Sequence, residues 1–148
     1  MNNTQPLIVE RVFNASVNTI WEALTNKAEM QKWYFDVDGF APELGFEFSF
    51  TGCADDGTNY VHLCKVTALV PNEKLAYSWV YEGYEGYSEV CFELFAEGDK
   101  TRLKLTHTGL ESFPANNADF RRENFTTGWT AILDNSLKNY LEKMTAVN

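Results

Sequence analysis

A stripe of seven apolar side chains near the C-terminus sets the strongest limit on the fold of this 148-residue chain. Neighbouring members of the stripe are one, three or four residues apart, which places them on one side of a long helix ending near Lys143. Such a helix must bury its apolar side against another layer of secondary structure. The stripe consists of Phe125, Trp129, Ile132, Leu133, Leu137, Tyr140 and Leu141.

The region before this helix supplies that layer, because most of it has the pattern of strands. The segment 7–13 is rich in β-branched and aromatic residues, and Phe46, Phe48 and Phe50 alternate with polar residues as in a half-buried strand. Short connections containing Pro, Asn or Gly favour an antiparallel meander. Further strands are predicted at Tyr60 to Val70, Lys74 to Tyr81, Tyr87 to Ala96 and Thr101 to His107.

Two short helices are predicted between the first and second strands. Ser16 is a good N-cap, and apolar residues then recur at spacings of three and four as far as Leu24. Asn26 with Glu29 resembles a capping box, which predicts a second helix with Met30, Trp33 and Tyr34 on its apolar side.

This order of elements predicts an α+β fold in which the C-terminal helix covers one face of an antiparallel sheet. The two short helices can close one end. They leave an internal space bounded by the sheet, the long helix and the segment Glu111 to Glu123, which has no clear period. Since the composition does not shift along the chain, we expect one domain over 1–148, with an ordered core at about residues 7–143.

Charge and cysteine content exclude several classes of partner. Twelve Lys and Arg against 21 Asp and Glu give a net charge of −9, which opposes binding to nucleic acid and to anionic membranes. No apolar run approaches the roughly 20 residues that span a bilayer, so we expect no membrane insertion. The three cysteines lack CxxC spacing and the N-terminus has no leader pattern, which favours reduced thiols and a cytoplasmic location.

Aromatic residues make up 15% of the chain, a larger share than a compact core of this size needs. The rings either line a cavity for a small apolar ligand or simply pack the interior. His107 shares a strand face with Leu103 and Leu105, so its imidazole is expected to point inward. There it could bind the polar end of a ligand, act as an acid or base, or be a core histidine paired with a carbonyl or hydroxyl group.

These considerations yield a set of candidate ligand-binding residues but no catalytic residue. Glu89 and Glu93 are separated by roughly 13 Å along a strand, too far apart for paired glycosidase carboxylates. The two histidines have no cysteine at metal-ligand spacing, and no phosphate-binding loop occurs, so no metal or cofactor is expected. The candidate ligand-binding residues are Trp33, Phe46, Phe48, Phe50, Trp79, Tyr81, His107, Phe113, Trp129 and Leu133.

Several segments together resemble one known family. They are IVERVFNASVNTIWEALTN, the following Lys32-Trp33, ELGFEFSF, VTALVPNEKLAYSW, TRLKLTHTGL and TGWTAILDNSLKNYLE. From about Leu7 to Lys143 the chain resembles the activator of heat-shock-protein-90 ATPase homologue family, within the START-like (SRPBCC) superfamily. The resemblance implies a helix-grip fold with a hydrophobic cavity. Members often have His three residues before the Gly-Trp pair, and Phe125 stands there in this sequence, so a role of that imidazole is not carried over.

Three functions follow as hypotheses. The first is a binding or carrier protein for a small hydrophobic or amphipathic molecule. The second is an enzyme of the cyclase, dehydratase or hydrolase type found on related folds, with His107 as acid or base. The third is an interaction module for a chaperone or another protein, with Tyr84 and Tyr87 offering an exposed contact surface.

Overall fold

The computed structural model describes residues 6–26, 29–30, 43–53, 57–114, 120 and 122–146. Its six strands form one antiparallel sheet in the order β1-β6-β5-β4-β3-β2. β1 pairs with β6, so the first strand extends an otherwise sequential meander and the sheet stays open between its two edges, β1 and β2. The strands are β1 (Leu7–Phe13), β2 (Glu47–Cys53), β3 (Asn59–Val70), β4 (Lys74–Tyr81), β5 (Ser88–Glu97) and β6 (Lys100–Thr108).

Alternation of apolar and polar residues gives the sheet one buried face, which we call the inner face. In β5 the buried residues Val90 and Phe92 alternate with half-buried neighbours such as Cys91. β6 follows the same pattern, and the pairing places Val90 opposite His107 and Phe92 opposite Leu105. The predicted strands and their inward sides are thus confirmed, with ends that shift by one or two residues.

The first predicted helix is confirmed as α1 (Val17–Thr25). Its N-cap Ser16 accepts a hydrogen bond from the backbone N–H of Thr19 at 3.2 Å. The expected start of a second helix is also present, since the Asn26 side chain accepts a bond from the Glu29 N–H at 3.3 Å. The remainder of that predicted helix, including Trp33 and Tyr34, lies outside the described residues.

The long C-terminal helix consists of three consecutive parts: α2 (Arg122–Ala131), a π-helical segment (Ile132–Leu137) and α3 (Lys138–Ala146). It extends beyond the predicted end at Lys143, and the π-helical segment was not predicted. Every fourth residue from Phe125 to Leu141 is buried. Since an α-helix has 3.6 residues per turn, each step of four overshoots by about 40°. The wider π turns reverse part of this drift and keep the stripe facing the sheet.

Polar contacts join this helix to its neighbours. Arg11 on β1 donates to both carboxylate oxygens of Asp134 in the π-helical segment, at 2.8 and 3.3 Å. The Tyr140 hydroxyl on α3 bonds to the Glu29 carboxylate. These contacts tie the helix to the edge strand and to the residues following α1.

The connection between β4 and β5 packs against the segment that follows β6. Ser112, in the short 3₁₀ turn Leu110–Ser112, accepts a bond from the Tyr87 N–H at 2.8 Å. A side chain at Gly109 would place Cβ 2.5 Å from the Tyr87 carbonyl oxygen, and Gly109 has φ 84°. Only glycine fits this contact without strain.

We expect Gly109→Ala to lower the free energy of unfolding by about 2 kcal/mol, because it adds steric overlap to left-handed backbone strain. Gly83→Ala is the matched control, since Gly83 also has φ 84° but no atom within 4 Å of the added Cβ. Urea unfolding should show the smaller loss for Gly83→Ala, about 1 kcal/mol. Equal losses would mean that the contact with Tyr87 contributes nothing.

Candidate functional site

Aromatic rings on the inner face and on the C-terminal helix form one connected group, which we call the ring network. Its centre is Trp79 on β4, which is only 5% exposed. Five rings surround Trp79 at centroid distances of 4.7 to 6.4 Å. They belong to Phe50, His62, Tyr81, His107 and Trp129.

The ring network reaches from this buried centre to the surface. Tyr81 contacts Phe113 at 5.2 Å and Phe120 at 4.7 Å. Phe120 in turn contacts Tyr84 at 5.1 Å, and Tyr84 is 39% exposed. A continuous series of ring contacts therefore connects Trp79 in the core with the exposed Tyr84.

A chain of hydrogen bonds fixes the imidazole of His107, which is fully buried. The indole N–H of Trp129 donates to Nδ1 at 3.0 Å. Nδ1 must therefore be the unprotonated nitrogen, and Nε2–H donates to the Ser88 hydroxyl at 2.9 Å. The Ser88 hydroxyl in turn donates a hydrogen bond to the Trp79 carbonyl at 2.7 Å.

This arrangement makes His107 a neutral, paired core histidine. Burial lowers its pKa from 6.5 to about 3, and both ring nitrogens already have partners. An acid–base catalyst needs a nitrogen that can exchange a proton with substrate near neutral pH. Of the roles considered for this imidazole, the structure supports the structural one.

The indole nitrogen of Trp79 is in the opposite situation. Among the buried side-chain nitrogen and oxygen atoms of the described residues, Nε1 of Trp79 is the one without a hydrogen-bond partner. Leaving such a donor unpaired costs about 1–3 kcal/mol. It lies at the centre of the ring network.

The surroundings of the ring network carry no buried charge in the part of the chain that the structure describes. Burial also lowers the pKa of His62 to about 4, against the opposing effect of hydrogen bonds to the Phe50 and Tyr60 backbone. Both histidines are thus neutral at pH 7. The buried polar side chains are those of Thr25, His62, Ser78, Ser88, Thr101 and His107.

The structure brings most of the predicted ligand-binding residues together. Phe48 joins the ring network through Tyr77 at 5.1 Å, while Phe46 is partly buried and packs against the core. Leu133 is fully buried in the C-terminal helix, and Trp33 lies outside the described residues. The other predicted members all lie in the ring network: Phe50, Trp79, Tyr81, His107, Phe113 and Trp129.

Sequence reasoning missed four members of this region. Tyr60, His62 and Cys64 are spaced two residues apart on β3 and are all buried. The period of two could therefore have placed Tyr60 and His62 on the inner face. Ser88 belongs by the same rule to the buried side of β5. Phe120 lies in a segment with no period and therefore had no local signal.

A groove of about 610 Å³, which we call the outer groove, lies along β2, β3 and β4. Exposed residues such as Glu47 and Leu63 border it, although Phe48 and Cys64 in its lining are buried. The backbone pairing of β3 with β4 is interrupted at this groove. There the Ser78 hydroxyl, in place of a backbone carbonyl, accepts a hydrogen bond from the Lys65 N–H at 3.0 Å. Glu47 lies opposite Lys65 there, which is typical of a solvated face. We therefore place the candidate site at the ring network. The groove is lined by Glu47, Phe48, Ser49, Leu63, Cys64, Lys65, Ser78 and Val80.

Among the described residues, no group of three His, Cys, Asp or Glu side chains could hold a metal ion. None of the described helices is both long and apolar enough to cross a bilayer.

Comparison with known proteins places the chain in a family. A search of curated proteins gave no significant match. Among solved structures, Mll2253 from Mesorhizobium loti is 26% identical with a TM-score of 0.71, covering 94% of this chain and 98% of its own. CalU16 from Micromonospora echinospora is 27% identical with a TM-score of 0.72, covering 95% of this chain and 79% of its own.

A third structure, Mll3558 from Rhizobium loti, is 21% identical with a TM-score of 0.77 over 92% of this chain and 96% of its own, which supports the fold alone. The helix-grip arrangement expected from the sequence is thus confirmed. The model of one family matches residues 14–142, which is most of the chain. The chain therefore belongs to the family described as Activator of Hsp90 ATPase homolog 1-like protein.

Proposed function

We propose that the protein binds or carries a small hydrophobic or amphipathic molecule on the inner face of its sheet. The ring network is the observation that carries this proposal, because its aromatic contacts run without a break from the buried Trp79 to the exposed Tyr84. The ligand would lie in a cavity between the sheet, the C-terminal helix and the segment that follows β6. We further propose that one domain, with a core at about residues 7–143, forms this cavity.

Binding is favoured over catalysis by the state of His107. Both of its nitrogens are engaged and its pKa is lowered to about 3, which does not suit the acid–base role that the enzyme hypothesis gave to this imidazole. A contact with a chaperone or another protein would use a different surface, such as the exposed Tyr87. The free thiols of Cys64 and Cys91 support a cytoplasmic location.

Native mass spectrometry of the protein purified from its own host tests the proposal. We expect one retained apolar molecule per chain, recoverable by solvent extraction. The inner-face variant Phe50→Leu should retain less of it, while Leu63→Ala in the outer groove should retain as much as the wild type. A protein that is empty from its host and stays empty with added neutral aromatic compounds would contradict the proposal.

A further inference from the structure

The unpaired indole N–H of Trp79 limits the chemistry of the ligand more narrowly than the surrounding rings do. Trp79 has the same side chain as Trp129, and the two rings touch at 5.4 Å. Nε1 of Trp129 is paired with His107. Nε1 of Trp79 has no hydrogen-bond partner, although Trp79 is only 5% exposed. Native proteins rarely leave such a donor unpaired, so the exception needs an explanation.

The acceptors of the neighbouring His107 and of the Trp79 backbone are already used. Nδ1 of His107 accepts from Trp129, and the other nitrogen bonds to Ser88. The carbonyl of Trp79 itself accepts from Ser88. The Phe50 ring, which meets Trp79 edge-on at 5.5 Å, has no acceptor atom.

An indole nitrogen is a donor only, so whatever pairs with it must supply an acceptor. The same region holds no Asp, Glu, Lys or Arg among its buried described residues, and its two histidines are neutral. A charged ligand would be desolvated there without a counter-ion, which is strongly unfavourable. A neutral molecule with an acceptor oxygen meets both conditions.

We propose that Nε1 of Trp79 donates a hydrogen bond to an oxygen of the bound molecule, and that this molecule is an uncharged aromatic compound bearing a carbonyl group. The inference rests on the proposed function and refines it by naming the ligand class. The flat part of the molecule packs among the rings around Trp79, and its carbonyl group points at the indole nitrogen.

Three naphthalene probes of similar shape test this inference by equilibrium titration. They carry an acetyl, an isopropyl or a carboxylate group at the same ring carbon. We expect acetylnaphthalene to bind the wild-type protein roughly tenfold more tightly than isopropylnaphthalene, as one buried hydrogen bond predicts. Naphthoate should bind more weakly than acetylnaphthalene, because it loses its hydration without finding a counter-ion.

The variant Trp79→Phe removes the N–H and keeps a ring. It should bring the ratio of the two neutral affinities to about one, whereas the control Trp21→Phe in α1 should leave the ratio unchanged. The indole ¹⁵N–¹H resonance of Trp79 reports the hydrogen bond independently, because it is measured on the wild-type protein alone. This resonance should move downfield with acetylnaphthalene more than with isopropylnaphthalene.

The outcomes separate this inference from the function on which it rests. If both neutral probes bind wild type equally and Trp79→Phe changes nothing, the hydrogen bond is wrong and the binding function stands. Tighter binding of naphthoate would overturn the uncharged ligand class. If no probe binds, the inference fails, and the proposed function then depends on whether native mass spectrometry finds a molecule retained from the host.

Discussion

Replacement of His107 by leucine should lower the free energy of unfolding by about 3 kcal/mol. The imidazole is fully buried and connects the Trp129 indole to the Ser88 hydroxyl. Leucine fills similar space but leaves the Trp129 N–H without an acceptor inside the core. Urea unfolding at neutral pH, followed by tryptophan fluorescence and by circular dichroism, measures the loss.

A double-mutant cycle with Trp129→Phe provides the control. If the cost of His107→Leu comes from the orphaned indole N–H, the double variant should lose less stability than the two single variants combined. His107→Gln should recover part of the stability, because an amide can accept from Trp129 and donate to Ser88. Strict additivity together with no recovery in His107→Gln would show that the imidazole acts only by filling space.

Acidification should weaken the fold strongly, with about 2–3 kcal/mol lost per buried histidine between about pH 6.5 and 4.5. Burial lowers the pKa of His107 to about 3 and that of His62 to about 4, against an ordinary value of 6.5. In that window the unfolded chain binds protons that the native protein does not. Stability is therefore complete above about pH 6.5 and declines as the pH falls toward the native pKa values.

The contribution of each histidine can be separated from that of the carboxylates by comparing slopes. His62→Gln and His107→Gln should each show a shallower fall in unfolding free energy with acid than the wild type. Proton NMR of the wild type should show neither imidazole titrating between about pH 8 and 5. A native imidazole that titrates near pH 6.5 would contradict the buried, neutral assignment.

Periodicity predicted the local structure well where one face of an element is buried. The alternation in β6 correctly placed Leu105 and His107 on the inner face. Ser16 correctly marked the start of α1, since capping depends on residues close in the chain. The C-terminal apolar stripe predicted the covering helix, and the family resemblance added the helix-grip arrangement.

Features that depend on distant pairing were not predictable in the same way. The pairing of β1 with β6 joins residues such as Leu7 and His107, which no local pattern connects. The π-helical segment lets buried residues recur every four positions while they stay on one side of the helix. The stripe of apolar residues alone does not show where along the helix the wider turns lie. Likewise, the inward direction of His107 was predictable, but its partners Trp129 and Ser88 lie on two other elements.

A neutral apolar molecule should bind among the rings of the inner face. Two-dimensional NMR of the ¹⁵N-labelled protein during titration with isopropylnaphthalene measures this binding residue by residue. We expect saturable shifts at the indole groups of Trp79 and Trp129 and at the backbone of Tyr81, with Leu63 and Val80 in the outer groove unchanged. Shifts confined to the outer groove, or none up to the solubility limit of the probe, would contradict it.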